Sequence, residues 1–149
     1  MRDDVKRIIA ELTIPYREKL NSLKKLLLSE SDKLHYIKTQ NLEKILEIIE
    51  TDKAIIEEID TADYRISGIE NDLAKIIGSD KKGIFSRLNS EKNEIKEIVS
   101  LRNEIRKMIE LLFGKRKLLM KAMTAESLQL KERINEISRI SALKYHYSA

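Results

Sequence analysis

The sequence has no cysteine, one proline, four glycines and two histidines, and only 5% of its 149 residues are aromatic. Without cysteine there is no disulfide framework, no thiolate zinc site and no cysteine nucleophile, and an oxidising compartment is not implied. The histidines, His35 and His146, stand far apart with no HExxH or similar spacing around them, which argues against a histidine metal site. A β fold needs aromatic runs and frequent turn residues, and both are scarce here. No glycine-rich phosphate loop occurs, and no stretch of about 18 apolar residues is present that would span a bilayer. The opening segment MRDDVKRIIAELTIPYREK lacks the apolar core and small-residue cleavage site of a signal peptide. A cytoplasmic location without stable membrane insertion is therefore expected.

What is present is charge and aliphatic side chains, at 36% and a 42% hydrophobic share. That is too apolar for a disordered chain and too charged for an average globular one, and the bias is toward long helices. Residues 1–149 are expected to form a single helical domain. The charge is uneven: residues 1–77 hold 13 Lys+Arg against 16 Asp+Glu, and the remainder hold 16 against 9. Antiparallel pairing of an acidic with a basic segment accounts for this, and a partner-binding half would do so too.

The periodicity predicts an all-α fold, an elongated antiparallel bundle of three long helices. In the first, Leu20, Leu23, Leu27, Leu34 and Ile37 keep steps of three and four, with Glu30 filling the gap, and the row extends back through Tyr16, Thr13 and Ile9. Pro15 places the start of this helix near Ile14, with residues 3–12 forming a short separate helix or an extension. Thr39, Gln40 and Asn41 offer side-chain bonds that compete with the helical ladder, so a break is expected near 38–41. A second helix follows from about Asn41 to Ile77: Leu42, Ile45 and Ile49, then, after a phase shift near Asp52, Ile55, Ile59, Ala62, Ile66, Ile69, Leu73 and Ile76. Gly78 stops it. After the turn at 78–83, Asn89 or Ser90 caps a third helix whose row is Ile95, Ile98, Leu101, Ile105, Met108, Leu112, Leu119, Met123, Leu130, Ile134 and Ile137.

Continuous to Ala142, the third helix would be about 80 Å long against about 55 Å for the second. It is expected to overhang by about 25 Å, or to bend near Gly114 or around 124–127 and fold back. An overhanging apolar stripe is unfavourable in water unless something covers it. Residues 120–149 are therefore the expected protruding, partner-binding segment, with Leu119, Met120, Met123, Leu130, Ile134 and Ile137 as its contact residues. Met108, Met120 and Met123 read first as core gap-fillers and second as part of a groove that adapts to varied apolar partners.

Of the polar residues, Glu30, Asp52 and Asp63 fall where they face the bundle interior. Inward carboxylates serve as acids, bases or metal ligands in some bundles, but the ExxH pairing of di-iron bundles is missing, and a seam-edge carboxylate reaching a lysine is the commoner arrangement. GKRKLLMK, residues 114–121, holds Lys115, Arg116, Lys117 and Lys121 without an acid, which raises phosphate or anionic-membrane contact as an alternative. It lacks the aromatic interleaving of a base-stacking surface. No catalytic residue, cofactor or metal is expected.

Two segments, LKKLLLSESDKL and NLEKILEIIETDKAIIEEIDTADYRI, resemble the N-terminal two-thirds of the FlgN family of flagellar export chaperones. The likeness rests on Leu27, Glu30 and Leu34, then Ile45, Ile49, Lys53, Ile55, Ile56, Ile59, Asp60 and Arg65. Residues 90–143 match in architecture only. Where the family carries a paired-asparagine element, this chain reads LLFGKRKLL, with Phe113 and Arg116. The resemblance implies a cytoplasmic, non-catalytic chaperone that binds the helical C-terminal regions of hook-filament junction proteins. It would prevent their aggregation and deliver them to export apparatus components, with no nucleic acid involved. A coiled-coil scaffold that pairs with a second copy as a homodimer is the alternative from another class.

Overall fold

The computed structural model describes residues 3–78, 83–84 and 93–126, and the described chain is all helix and turn: α1 (Asp3–Lys38), α2 (Leu42–Ile77) and α3 (Asn93–Glu126). Contacts group it into two compact units, one of Met1–Asn21 with Glu58–Ile105 and one of Ser22–Glu57 with Arg106–Ala149. Each draws on all three helices. In the first unit Tyr16, Glu18 and Lys19 of α1 meet Glu70, Arg65 and Asp63 of α2, in opposite chain order, so the two helices are antiparallel. In the second, Ser31 of α1 and Gln40 of the turn just after it meet Lys115 and Glu126 of α3 in the same order, so α1 and α3 are parallel. The expected three-helix antiparallel bundle is what forms. The expected overhang, and with it the question whether α3 is the longest helix, lies outside the described residues, as do the caps Asn89 and Ser90.

The seam that holds α1 is more regular than the hydrophobic row. Val5, Ile9, Leu12, Tyr16, Lys19, Leu23, Leu26, Glu30, Lys33 and Ile37 step by four and three without a gap, and each is buried. The leucines expected in the seam, Leu27 and Leu34, are only half-buried at its edge. In α2 the seam is Ile45, Ile49, Asp52, Ile56, Ile59, Asp63, Ile66, Glu70 and Leu73, so there is no phase shift at Asp52, which is itself 1% exposed. Leu42, expected in the first apolar turn, is exposed. In α3, Ile98, Arg102, Ile105, Ile109, Leu112, Arg116, Leu119 and Met123 continue the same rhythm. Charged residues thus replace aliphatic ones at chosen steps of all three helices.

Pro15 does not start α1. It lies buried inside a helix that begins at Asp3. A proline there forfeits one ladder bond and costs about 3 kcal/mol. The preceding turns bury Val5, Ile9 and Leu12, and each such side chain contributes about 1.5–3 kcal/mol, so burial outweighs the break. The favourable N-terminal charges Asp3 and Asp4 add to this.

The α1–α2 connection is a three-residue turn. The Asn41 N–H donates to the Tyr36 carbonyl at 2.8 Å and the Gln40 N–H to the Ile37 carbonyl at 3.0 Å, the paired bonds of a Schellman cap. Asn41 Oδ1 then accepts the Lys44 N–H and opens α2. The cap needs a left-handed residue, and here Gln40 supplies it at φ 58°. Glycine does the same after α2, where Gly78 has φ 66°. Gln40→Gly is therefore expected to stabilise the protein by about 1 kcal/mol, since the left-handed conformation costs a residue with Cβ roughly 1–2 kcal/mol. The exposed Gln40–Glu126 bond it removes contributes little. Thermal unfolding would show this as a rise of a few degrees.

Candidate functional site

Each unit has a polar layer in its seam, with a lysine from α1, a carboxylate from α2 and an arginine from α3. In the first unit Lys19, fully buried, is ion-paired with Asp63, and the Tyr16 hydroxyl donates to Glu70 Oε1 at 3.0 Å. Burial pushes the Lys19 ammonium down from the usual lysine value while Asp63 opposes this. The Tyr16 phenol is pushed well above the usual value, first by burial and then by the Glu70 charge, with Arg102 pulling the other way. In the second unit Lys33 donates to Glu30 Oε1 at 2.5 Å and to Asp52 Oδ2 at 2.9 Å, and Ser29 donates to Asp52 Oδ1. These side chains are at most a few per cent exposed, so they are buried ion pairs and not a solvated face.

The signs of the two shifts set a pH dependence. Folded Tyr16 keeps its proton when the unfolded chain loses it near pH 10, so its contribution is complete below that pH and falls as pH rises further. Lys19 acts oppositely: the unfolded chain binds its proton more readily, and the penalty relaxes as pH approaches the ordinary lysine value. Tyr16→Phe should therefore cost about 1–2 kcal/mol at neutral pH, for the lost bond to a carboxylate. It should also lose stability less steeply than the unmodified protein above pH 10. Denaturant midpoints at pH 8 and pH 11 would compare the two.

The interior carboxylates reach lysines, as expected of Glu30, Asp52 and Asp63. Among the described residues no group of three His, Cys, Asp or Glu side chains is placed to hold a metal ion. His35 is exposed and packs its ring edge-on against Tyr36. No helix among the described residues is long and apolar enough to cross a membrane.

A concave feature lies on α3. Phe113, Arg116, Lys117, Met120 and Lys121 line an open cavity of about 350 Å³ in the second unit. The spacing of three and four places these five on one helical face. Arg116 occupies the seam step between Leu112 and Leu119, where burial pulls its guanidinium below the usual value and the Glu30 charge counteracts that. Its Nη1 is buried and has no hydrogen-bond partner, and Glu30 Oε2 is in the same state. Neighbouring Lys115 turns to the other side and donates to Ser31 Oγ at 2.7 Å.

The residues expected to contact a partner separate into three groups. Leu119 and Met123 are 0% exposed, which corrects the expectation of a free stripe: they lie in the α3 seam, on the face turned to the core. Met120 is half-buried and lines the cavity. Leu130, Ile134 and Ile137 lie outside the described residues. Leu118 is 55% exposed. Of the cavity residues, Phe113 was not legible as a contact, whereas Arg116, Lys117 and Lys121 were read only as contacts of the alternative anionic surface. Compared with known proteins, the chain matches no family model, no curated protein and no solved structure.

Proposed function

We propose that this protein is a non-catalytic helical binding module of the flagellar export chaperone kind. It holds the helical C-terminal regions of hook-filament junction proteins in the cytoplasm, prevents their aggregation and passes them to the export apparatus. The flagellar part of this reading rests on the sequence resemblance over residues 16–77. The binding part is carried by one observation, the α3 cavity, where Phe113 and Met120 stand among three cations on an accessible helix face. An amphipathic helix laid there would add a helix to the bundle by packing apolar side chains into a groove. Calorimetric titration against a panel of purified junction-protein C-terminal regions tests the reading. Binding to one of them with an unchanged protein fold is expected, and no binding to any would overturn it.

A second reading, self-association, is favoured by exposed leucines. Leu28 is 70% exposed on α1, and Leu111 and Leu118 are 49% and 55% exposed on α3. Leu28 precedes Ser31 by one turn, and the two others flank Lys115, to which Ser31 is bonded. All three therefore lie on one side of the α1–α3 pair. Mass in solution distinguishes the readings: a waiting chaperone is a monomer, a scaffold a stable dimer or larger.

A further inference from the structure

We infer that the α3 cavity selects an acidic amphipathic helix, one whose apolar knob enters between Phe113 and Met120 while flanking carboxylates meet Arg116, Lys117 and Lys121. This deepens the proposed binding function and rests on it. The argument is charge complementarity joined to shape. The lining carries three cations and no acid. The acids of α3 nearest in sequence, Glu110 and Glu126, lie outside the lining. Lys117 and Lys121 make no ion pair among the described residues, in contrast to Lys19 and Lys33, which are consumed by Asp63, Glu30 and Asp52. Arg116 adds a buried donor, Nη1, without a partner, and Glu30, the one carboxylate whose field reaches it, is already held by Lys33.

The geometry favours a protein helix over a phosphate polymer or a membrane. A cavity of about 350 Å³ beside Phe113 and Met120 has ample room for an apolar side chain, which a nucleic-acid backbone does not present. The cations rim that cavity on one helix face instead of tracking a groove. Acidic residues one turn before and after an apolar anchor would lie about 5–6 Å from it on the partner helix, within reach of two long lysine side chains. Such contacts are screened by salt, so recognition should weaken as ionic strength rises, while the apolar anchor persists.

The test uses fluorescence anisotropy with the full chain and three labelled amphipathic peptides. They share a leucine face and differ only in its flanking residues: glutamate, glutamine or lysine. The glutamate peptide should bind at least about tenfold more tightly than the glutamine peptide at low salt, a difference that two or three charge contacts supply. The K117E/K121E double variant changes exposed side chains and should keep its melting temperature. It should lose the glutamate peptide and gain the lysine peptide. Equal binding of the glutamate and glutamine peptides, or unchanged binding by a folded double variant, would overturn the inference. So would binding to anionic vesicles or an oligonucleotide, lost in the double variant, with no peptide binding. Junction-protein binding that survives K117E/K121E removes this site and leaves the chaperone reading standing. Glutamate-peptide binding without binding to any junction protein does the reverse.

Discussion

Lys33→Met is expected to lower the stability of the protein by about 3–5 kcal/mol, as removal of one partner from a buried ion pair does elsewhere. The lysine is fully buried and is the cation for two carboxylates at once, Glu30 and Asp52. Methionine fills much the same space, so lost packing contributes little. The cost arises from leaving two buried acids without their donor. Denaturant unfolding would measure it. Replacing the layer as a set, with Glu30→Leu, Lys33→Met, Asp52→Leu and Arg116→Met together, should restore most of the loss, because an apolar layer of similar volume is commonly as stable as an ionic one. If Lys33→Met alone proved neutral, the layer would not be a dry ion pair.

Leu119→Asp is the second large effect, expected to cost about 4 kcal/mol or more and to abolish a cooperative transition. Leu119 is 0% exposed between Arg116 and Met123 on the α3 seam, and a carboxylate there loses its hydration, a cost that the cations one turn before it, Lys115 and Arg116, offset only in part. Met123→Asp should behave alike. Lys117→Glu, two residues before Leu119 but exposed, should leave the melting temperature nearly unchanged. The contrast separates the face of α3 that makes the fold from the face assigned to a partner. A folded, cooperatively unfolding Leu119→Asp protein would show that Leu119 is dispensable to the core.

The helices and their order were legible because aliphatic spacing of three and four runs the length of the chain. Gly78 ended α2 as its freedom at positive φ predicts. The seam was misread in part in α1. Leu20 is buried as expected, but Leu27 and Leu34 attracted the assignment by hydrophobicity and are only half-buried, whereas the regular steps run through Lys19, Leu26 and Lys33. Lysine is rarely fully buried, so a row containing two of them does not stand out. The signal was present nonetheless in the seven-residue spacing Leu12, Lys19, Leu26, Lys33. The same bias hid Asp52 as a regular α2 step and Arg116 as the missing step between Leu112 and Leu119. The turn at 39–41 was visible only as a break, because a left-handed cap is announced by glycine and here falls on Gln40. The candidate site moved for a related reason: Leu119 and Met123 were taken for the partner face, and they face the core. The proposed contact surface consists of mixed residues, Phe113 and Met120 among cations, which hydrophobic periodicity does not separate from a solvated face.

These polar layers bear on partner choice as well as on register. A heptad seam of uninterrupted leucine and isoleucine would pair with almost any apolar helix, whereas charged steps at Glu30, Lys33, Asp52 and Arg116 fit only a neighbour that places its own charges to match. The bundle is thereby closed to indiscriminate helices at its core, which leaves the outer α3 face as the place proposed for a client.

The most direct test of that claim is site-specific photo-crosslinking of a purified junction-protein C-terminal region. The photoreactive residue is placed at Lys117 in one sample and, as a control, at Tyr64, which is 83% exposed and belongs to the other unit. Efficient capture from position 117 and little from position 64 is the predicted result. Capture from position 64 with none from position 117 would contradict it.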